Sequence, residues 1–172
     1  MRLYTIHTEY IAYLHTIDTR VPLQHKKSVN RPYAGILLTE DNFNYFIPLS
    51  SPKEKFKTMK NTRDFIKIDH GNLGALNLNN MVPVPLTCCQ MIDIKMLLSS
   101  NSVDDVKYGG LIEDQRQWLT THKDIIHNKA LKLRSLYKAE KLPLPLISRC
   151  LNWKKLEVAC NQYIPLSSKQ HR

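Results

Sequence analysis

Apolar positions follow a strand-like pattern through the first half of this chain and a helical spacing through the second. Leu3-Tyr4-Thr5-Ile6 has the length and composition of a short strand. Thr8 fits an N-cap, followed by a short helix over Glu9-Tyr10-Ile11-Ala12-Tyr13-Leu14. Residues 18–32 hold Pro22 and Pro32 and show no period, which predicts a loop. That loop is basic, with His25, Lys26, Lys27 and Arg31, and a long basic loop in a compact fold more often carries function than merely connects. Ala34-Gly35-Ile36-Leu37-Leu38-Thr39 reads as a buried strand, Asp41-Asn42 as a turn, and Asn44-Tyr45-Phe46-Ile47 as the antiparallel partner in a hairpin. The second strand runs into Pro48-Leu49-Ser50-Ser51-Pro52-Lys53, and Pro52, which has no N–H to give, should end the pairing.

Beyond this point residues 54–63 are lysine-rich and predict a short helix or loop. Phe65-Ile66-Lys67-Ile68 predicts a strand and His70-Gly71-Asn72 a turn. Ala75-Leu76-Asn77-Leu78 and Met81-Val82-Pro83-Val84 follow, their prolines favouring an edge. Residues 104–121 and 123–138 carry apolar side chains at helical spacing, Pro143 and Pro145 interrupt the pattern, and residues 151–163 predict a last helix. Residues 165–172 read as a frayed tail. The expected fold is α+β: one domain over 1–172, β-rich through residue 86 and helical over 90–163. Its strands form a twisted antiparallel sheet or partly open barrel, flanked by helices mostly from the C-terminal half.

Composition supports a globular chain. Hydrophobic residues are 42% and charged residues 23% of the 172, so burial can sustain a core. No apolar run nears the roughly 18 residues that span a bilayer, and the N-terminus lacks the apolar stretch of a signal peptide. Cys88 and Cys89 are adjacent, and no Cys-x-x-Cys pair occurs, so neither a disulfide framework nor a structural zinc site is expected, and a reducing cytoplasm is the simplest location. The net charge of +10 is uneven: residues 122–172 hold eleven Lys and Arg against three Asp and Glu, and residues 50–67 hold six against two. Two basic zones suit binding faces for a polyanion, beside the plainer reading of a solvated lysine surface.

Candidate chemistry is narrowed by what is missing. There is no Gly-rich phosphate loop, no HExxH and no Gly-x-Ser-x-Gly elbow. Asp104-Asp105 and Glu113-Asp114 suit a solvent-facing helix surface, and His122 and His127, five apart, fall on different helical faces, so no metal or cofactor is expected. Gly71-Asn72-Leu73-Gly74 has the form of a GXXG clamp without its flanking helices and reads as a plain turn. RNA brings its own nucleophile, the 2′-hydroxyl, so a protein that transesterifies it needs positioning, charge stabilisation and two proton transfers. Lys53 would supply an ammonium, its proton loosened by neighbouring Lys55 and Lys57. Ser50 and Ser51 would donate to nonbridging oxygens, and Arg31 would bind phosphate bidentately. Residue types alone favour a polar turn that caps the next helix. Lys26, Lys27, Lys55, Lys57, Lys60 and the basic C-terminal helices would grip the RNA backbone, and Tyr33, Tyr45 and Phe46 read as core more than as base-stacking platforms.

The chain also resembles a known family. Leu3 to Ile6 with Tyr10 to Leu14, Arg31 to Leu38, Tyr45-Phe46-Ile47-Pro48-Leu49-Ser50-Ser51-Pro52-Lys53 and Gly74 to Val84 are together similar to the ToxN/AbiQ endoribonucleases of type III toxin–antitoxin systems. The likeness spans nearly the full chain and is looser in the helical half, ending near Asn152-Trp153. It implies metal-independent, sequence-selective RNA cleavage to 2′,3′-cyclic phosphate and 5′-hydroxyl ends. It implies mRNA targets and inhibition by a repetitive pseudoknotted RNA, which the toxin processes and which fills its groove. It further implies a role in abortive infection against phage, with no membrane or DNA partner and a protein that is monomeric without RNA. The family's hydroxyl, serine and lysine fall on Ser50, Ser51 and Lys53, and its basic residue before the Gly-Ile strand falls on Arg31. Some relatives have threonine and lysine at the first and last of these four positions. A loop tyrosine of some members has no counterpart, Lys26 and Lys27 being nearest. The alternative is a non-catalytic RNA-binding module acting by sequestration; no helix-turn-helix spacing favours a DNA-binding regulator.

Overall fold

The computed structural model describes residues 1–23, 31–38 and 43–164. Seven short strands are β1 (Leu3–Ile6), β2 (Tyr33–Leu38), β3 (Phe43–Ser50), β4 (Phe65–Ile68), β5 (Gly74–Asn77), β6 (Val82–Pro83) and β7 (Cys89–Met91). They pair antiparallel in the order β4-β5-β3-β2-β1-β7, with β6 on β3 off this path. The sheet stays open rather than closing into a barrel. Helices are α1 (Thr8–Ile17), α2 (Glu54–Thr58), α3 (Ile94–Leu98), α4 (Val103–Thr121), α5 (Lys123–Lys138), α6 (Leu144–Ile147) and α7 (Trp153–Gln162). The class is α+β, with helices supplied mainly by the second half.

β3 organises the sheet. Tyr45 and Phe46 pair with β6, whereas Leu49 and Ser50 pair with β5. Pro48 lies between the two stretches, where its missing N–H leaves no ladder donor orphaned. Alternation divides the faces. Leu3, Ala34, Tyr45, Ile47, Leu49, Ile66, Ile68 and Leu76 join the buried helix residues Ile112, Leu119, Ile126, Leu133, Trp153 and Leu156 in one apolar cluster. Trp153 Nε1 donates to the Met81 carbonyl at 2.8 Å and Tyr10 Oη to that of Pro83 at 2.8 Å, so the two largest buried side chains have their polar atoms satisfied.

Two elements depart from expectation. α1 begins at Thr8 with His7 at its N-cap and no side-chain cap bond, so Thr8 is not the cap. β7 lies across the start of the stretch expected to be helical; three residues without alternation gave no local signal, and pairing with β1 makes the strand. Among the aromatics, Tyr33, Tyr45 and Phe46 are each at most 2% exposed and do not offer free faces to bases. Lys26, Lys27 and the Asp41-Asn42 turn, like residues 165–172, lie outside the described residues. No described helix is long and apolar enough to cross a membrane.

Candidate active site

β3 ends at Ser50, as Pro52 requires, and α2 starts at Glu54. Lys53 holds the N-cap position in extended backbone (φ −145°, ψ 140°), with no side-chain cap bond. The serines therefore do not act as the cap that a polar turn would supply. Ser51, Pro52 and Lys53 are exposed and Ser50 is half-buried. Lys53 lines an open cleft of about 320 Å³ with Pro52, Glu54, Lys57, Gly71 and Asn72; Ser50 and Ser51 are not part of that lining.

The ladder brings Arg31 to the same place. Tyr33 pairs with Pro48, and the Leu49 N–H donates to the Pro32 carbonyl at 2.9 Å. One step further along this register sets Arg31 opposite Ser50, and Ala75 flanks Ser50 from the other side. Arg31, Ser50 and Ala75 thus share the sheet face that looks away from the main core. On that face Phe56 of α2 packs on Phe65 and Ala75 in a small separate cluster, the two rings 5.5 Å apart. This contact anchors α2, and with it the 51–53 turn, to the sheet.

The turn between β4 and β5 forms the opposite wall. Asp69 and His70 take φ of 46° and 54°, and Gly71 and Gly74 take 101° and 104°. A side chain on Gly71 would meet the Phe56 backbone at 2.7 Å, and one on Gly74 would meet the Ser50 carbonyl oxygen at 2.1 Å. Both glycines let backbone lie directly against the candidate site. Behind them the buried Gln115 of α4 donates to the Leu73 carbonyl at 2.7 Å, fixing the turn to the helical layer. Asn77 donates to Ser50 Oγ at 2.9 Å. Sequence reading missed Gln115 and Asn77 and took the 71–74 stretch as a plain turn; glycines three apart after a strand were the only local hint.

The remaining predicted lysines divide. Lys55, Lys57 and Lys60 are all exposed. Lys57 pairs with Glu54 at 2.8 Å, so part of the charge expected beside Lys53 is locally neutralised. The C-terminal basic zone is partly structural as well. Arg134 is buried against Glu157, Arg149 grips Asp64 at 3.1 and 3.2 Å, and Lys154 meets Glu140 at 2.9 Å. Arg134 also donates to Tyr45 Oη at 3.3 Å, and Tyr45 in turn donates to Glu157. Burial, together with the bond it gives Glu157, pushes the Tyr45 hydroxyl well above its ordinary pKa despite the nearby guanidinium, so it stays protonated. This network ties the middle of β3 to α5 and α7. The four cysteines are free, and no group of three His, Cys, Asp or Glu among the described residues is placed to hold a metal ion.

An exposed amine and hydroxyl at a strand end, an arginine in register beside them and a basic cleft suit a protein that handles a phosphodiester. Comparison with known proteins places the chain more closely. The model of the family described as toxin ToxN of type III toxin–antitoxin systems matches residues 2–161, and the chain belongs to that family. It is 32% identical over 166 residues to the endoribonuclease ToxN of Bacillus thuringiensis subsp. kurstaki, covering 94% of this chain and 84% of that one. It is 40% identical over 95 residues, about half of either chain, to the endoribonuclease AbiQ of Lactococcus lactis subsp. lactis. Among solved structures, a type III toxin described as selectively inhibited by a non-coding RNA pseudoknot superposes with a TM-score of 0.80 at 32% identity, over 94% of this chain and 96% of that one. AbiQ, described as a lactococcal anti-phage endoribonuclease, superposes with a TM-score of 0.78 at 28% identity over 98% of both.

Proposed function

We propose that this chain is the endoribonuclease toxin of a type III toxin–antitoxin system, cutting RNA without a metal ion. The reading is supported by Ser50, Ser51 and Lys53 standing in succession at the end of β3, with Arg31 just before β2 in the register that pairs Tyr33 with Pro48, in a ToxN-family chain. The 2′-oxygen forms a bond to phosphorus while the bond from phosphorus to the 5′-oxygen breaks. The 2′-proton leaves to a base or water, and Lys53 returns a proton to the departing 5′-oxygen. The products are a 2′,3′-cyclic phosphate and a 5′-hydroxyl. Ser51 and Ser50 donate to the nonbridging oxygens and Arg31 balances the charge that grows on them. Cations already fixed in the protein do what a divalent ion would do elsewhere, which is why EDTA should not stop the reaction.

The same surface would take the antitoxin, a repetitive pseudoknotted RNA that fills the groove and is processed there. Release of that RNA in the cytoplasm would free a sequence-selective nuclease to cut mRNA and arrest growth during phage infection. The protein alone would be monomeric.

The test is incubation of purified protein with end-labelled RNA in EDTA, with the product ends mapped. Discrete cuts with cyclic-phosphate ends are expected, lowered at least about 100-fold in Lys53→Ala, as for loss of a proton-transfer group. A matched DNA oligonucleotide should survive, having no 2′-hydroxyl. RNA left whole by wild type and Lys53→Ala alike would favour sequestration without cleavage, and cleavage that requires added magnesium would overturn the mechanism.

A further inference from the structure

Asn77 closes β5 and stands at the N-cap of the 3₁₀ turn Leu78–Asn80. Asparagine at such a position ordinarily turns its side chain onto the backbone of the turn it starts. Here it makes no cap bond. Its Nδ2 reaches instead across the sheet to Ser50 Oγ, 2.9 Å away and 27 residues earlier. Asparagine is a poor strand former, and Phe65 faces it directly across the β4–β5 ladder, so neither propensity nor ladder pairing accounts for the residue. Ser50 pairs with Ala75, which sets Asn77 on the diagonal of the same face, within reach of a side-chain contact.

The polarity of that bond has a chemical consequence. A serine hydroxyl carries one proton and two lone pairs. An amide N–H directed at one lone pair leaves the proton to point elsewhere, and the other side of Ser50 faces the start of β2, where the register sets Arg31. We infer that Asn77 is a positioning residue of the cleavage reaction: it holds the Ser50 hydroxyl as a donor, its proton presented to a nonbridging oxygen of the bound phosphodiester. This rests on reading Ser50, Ser51 and Lys53 as the reaction site. Asn77 touches no reacting atom and acts through Ser50. An acceptor in its place would draw the proton inward and leave a lone pair facing the phosphate.

The experiment is a double-mutant cycle read by single-turnover cleavage of a labelled RNA that the wild type cuts, with melting temperatures recorded for every variant. Asn77→Ala should slow the maximal cleavage rate about 10-fold, the order of one hydrogen bond, with the half-saturating protein concentration within about twofold. Ser50→Ala with Asn77→Ala should be no slower than Ser50→Ala alone, since the amide has nothing left to orient. Asn77→Asp keeps the shape and reverses the polarity. It should be slower than Asn77→Ala at neutral pH and recover as the pH falls and the new carboxyl gains a proton to donate. This pH limb should vanish in the Ser50→Ala background, which a loss of packing would not produce.

Should Ser50→Ala impair cleavage while Asn77→Ala does not, or should the two losses simply add, the inference is overturned and the site reading stands. Should Ser50→Ala cleave at the wild-type rate, the role of Ser50 falls and the inference with it. If Asn77→Ala proves too unstable to assay, the pH behaviour of Asn77→Asp in the two backgrounds decides by itself.

Discussion

Gly74→Ala offers a sharp test of how the candidate site is held. Gly74 has φ +104°, a conformation that costs a residue with a Cβ about 1–3 kcal/mol. Its added methyl carbon would lie 2.1 Å from the Ser50 carbonyl oxygen and 3.2 Å from the carbonyl carbons of Ser50 and Ser51. Ordinary contact is above 3 Å, so the Ser50–Ser51 peptide must move by about 1 Å, or the β3–β5 ladder must open where Ser50 meets Ala75. Both neighbours are backbone, and no side chain can rotate aside. Together these effects should cost about 2–4 kcal/mol, lowering Tm by about 10 °C in a chain of this size. Most proteins have stability enough to stay folded at 25 °C after such a loss. Activity should fall further, about 100-fold in cleavage rate, because a shift of about 1 Å in a positioning group has that order of effect. Gly110→Ala is the control. It lies within α4 with nothing within 4 Å of the added carbon, and should raise stability by up to about 1 kcal/mol without touching cleavage. The assays are thermal melts by circular dichroism and single-turnover cleavage of labelled RNA. Wild-type melting and cleavage in Gly74→Ala would refute the claim that this close approach fixes the serines.

Two further substitutions probe the frame around the site. Glu157→Ala removes the carboxylate that meets the buried Arg134 guanidinium, and should destabilise by about 3–5 kcal/mol in urea titrations. Glu157→Leu combined with Arg134→Met should recover much of that loss, and a double variant no better than Glu157→Ala would contradict this account. Asp18 predicts an acid limb. Burial alone would raise its pKa, but hydrogen bonds from Arg20 and from the Asn152 amide at 2.7 Å outweigh it and hold the carboxyl at about 2. A depressed folded pKa gives stability that is full above the unfolded value near 4 and lost as pH falls towards 2. The contribution is about 2 kcal/mol, and Asp18→Asn should show a shallower fall in Tm over that window than wild type. Equal slopes would show that Asp18 is not part of the acid response.

The parts of this protein that could be read from sequence are those fixed by local chemistry. Pro52 cannot extend a ladder, so the end of β3 and the exposure of Ser51 and Lys53 follow from one residue. Helical spacing located α5, whose apolar residues gather on one face, and also α4, although the buried face of α4 includes Gly109 and Gln115 and its apolar residues form no clear stripe. What could not be read depends on distant partners. β7 is a strand only because β1 lies beside it. Counting lysines and arginines revealed two basic zones but not which charges were already committed: Arg134 meets Glu157 across 23 residues, and Arg149 meets Asp64 across 85. Asn77 fell within the expected strand Ala75-Leu76-Asn77-Leu78 with no role assigned to it, and its contact with Ser50 exists only because β5 returns beside β3.

The position of the candidate site at a strand end reconciles two demands that usually conflict. Rigid placement needs backbone pairing and packed neighbours, whereas access needs a surface that nothing covers. Ser50 is the last residue of β3, with β5 on one side and the Pro32 end of β2 on the other, so its Cα is held as firmly as a strand interior. Ser51 to Lys53 have left the ladder, yet they are only three residues long and end in α2, whose Phe56 is seated on Phe65 and Ala75. The turn therefore cannot wander far, although its side chains face solvent. The electrostatics follow the same division. Lys57 is tied to Glu54, and Arg134 and Arg149 meet the carboxylates of Glu157 and Asp64, so these cations serve the frame. On the proposed reading, affinity for an RNA chain would come from the exposed cations beside the cleft, and each of these removed should reduce the salt dependence of binding by about one counterion.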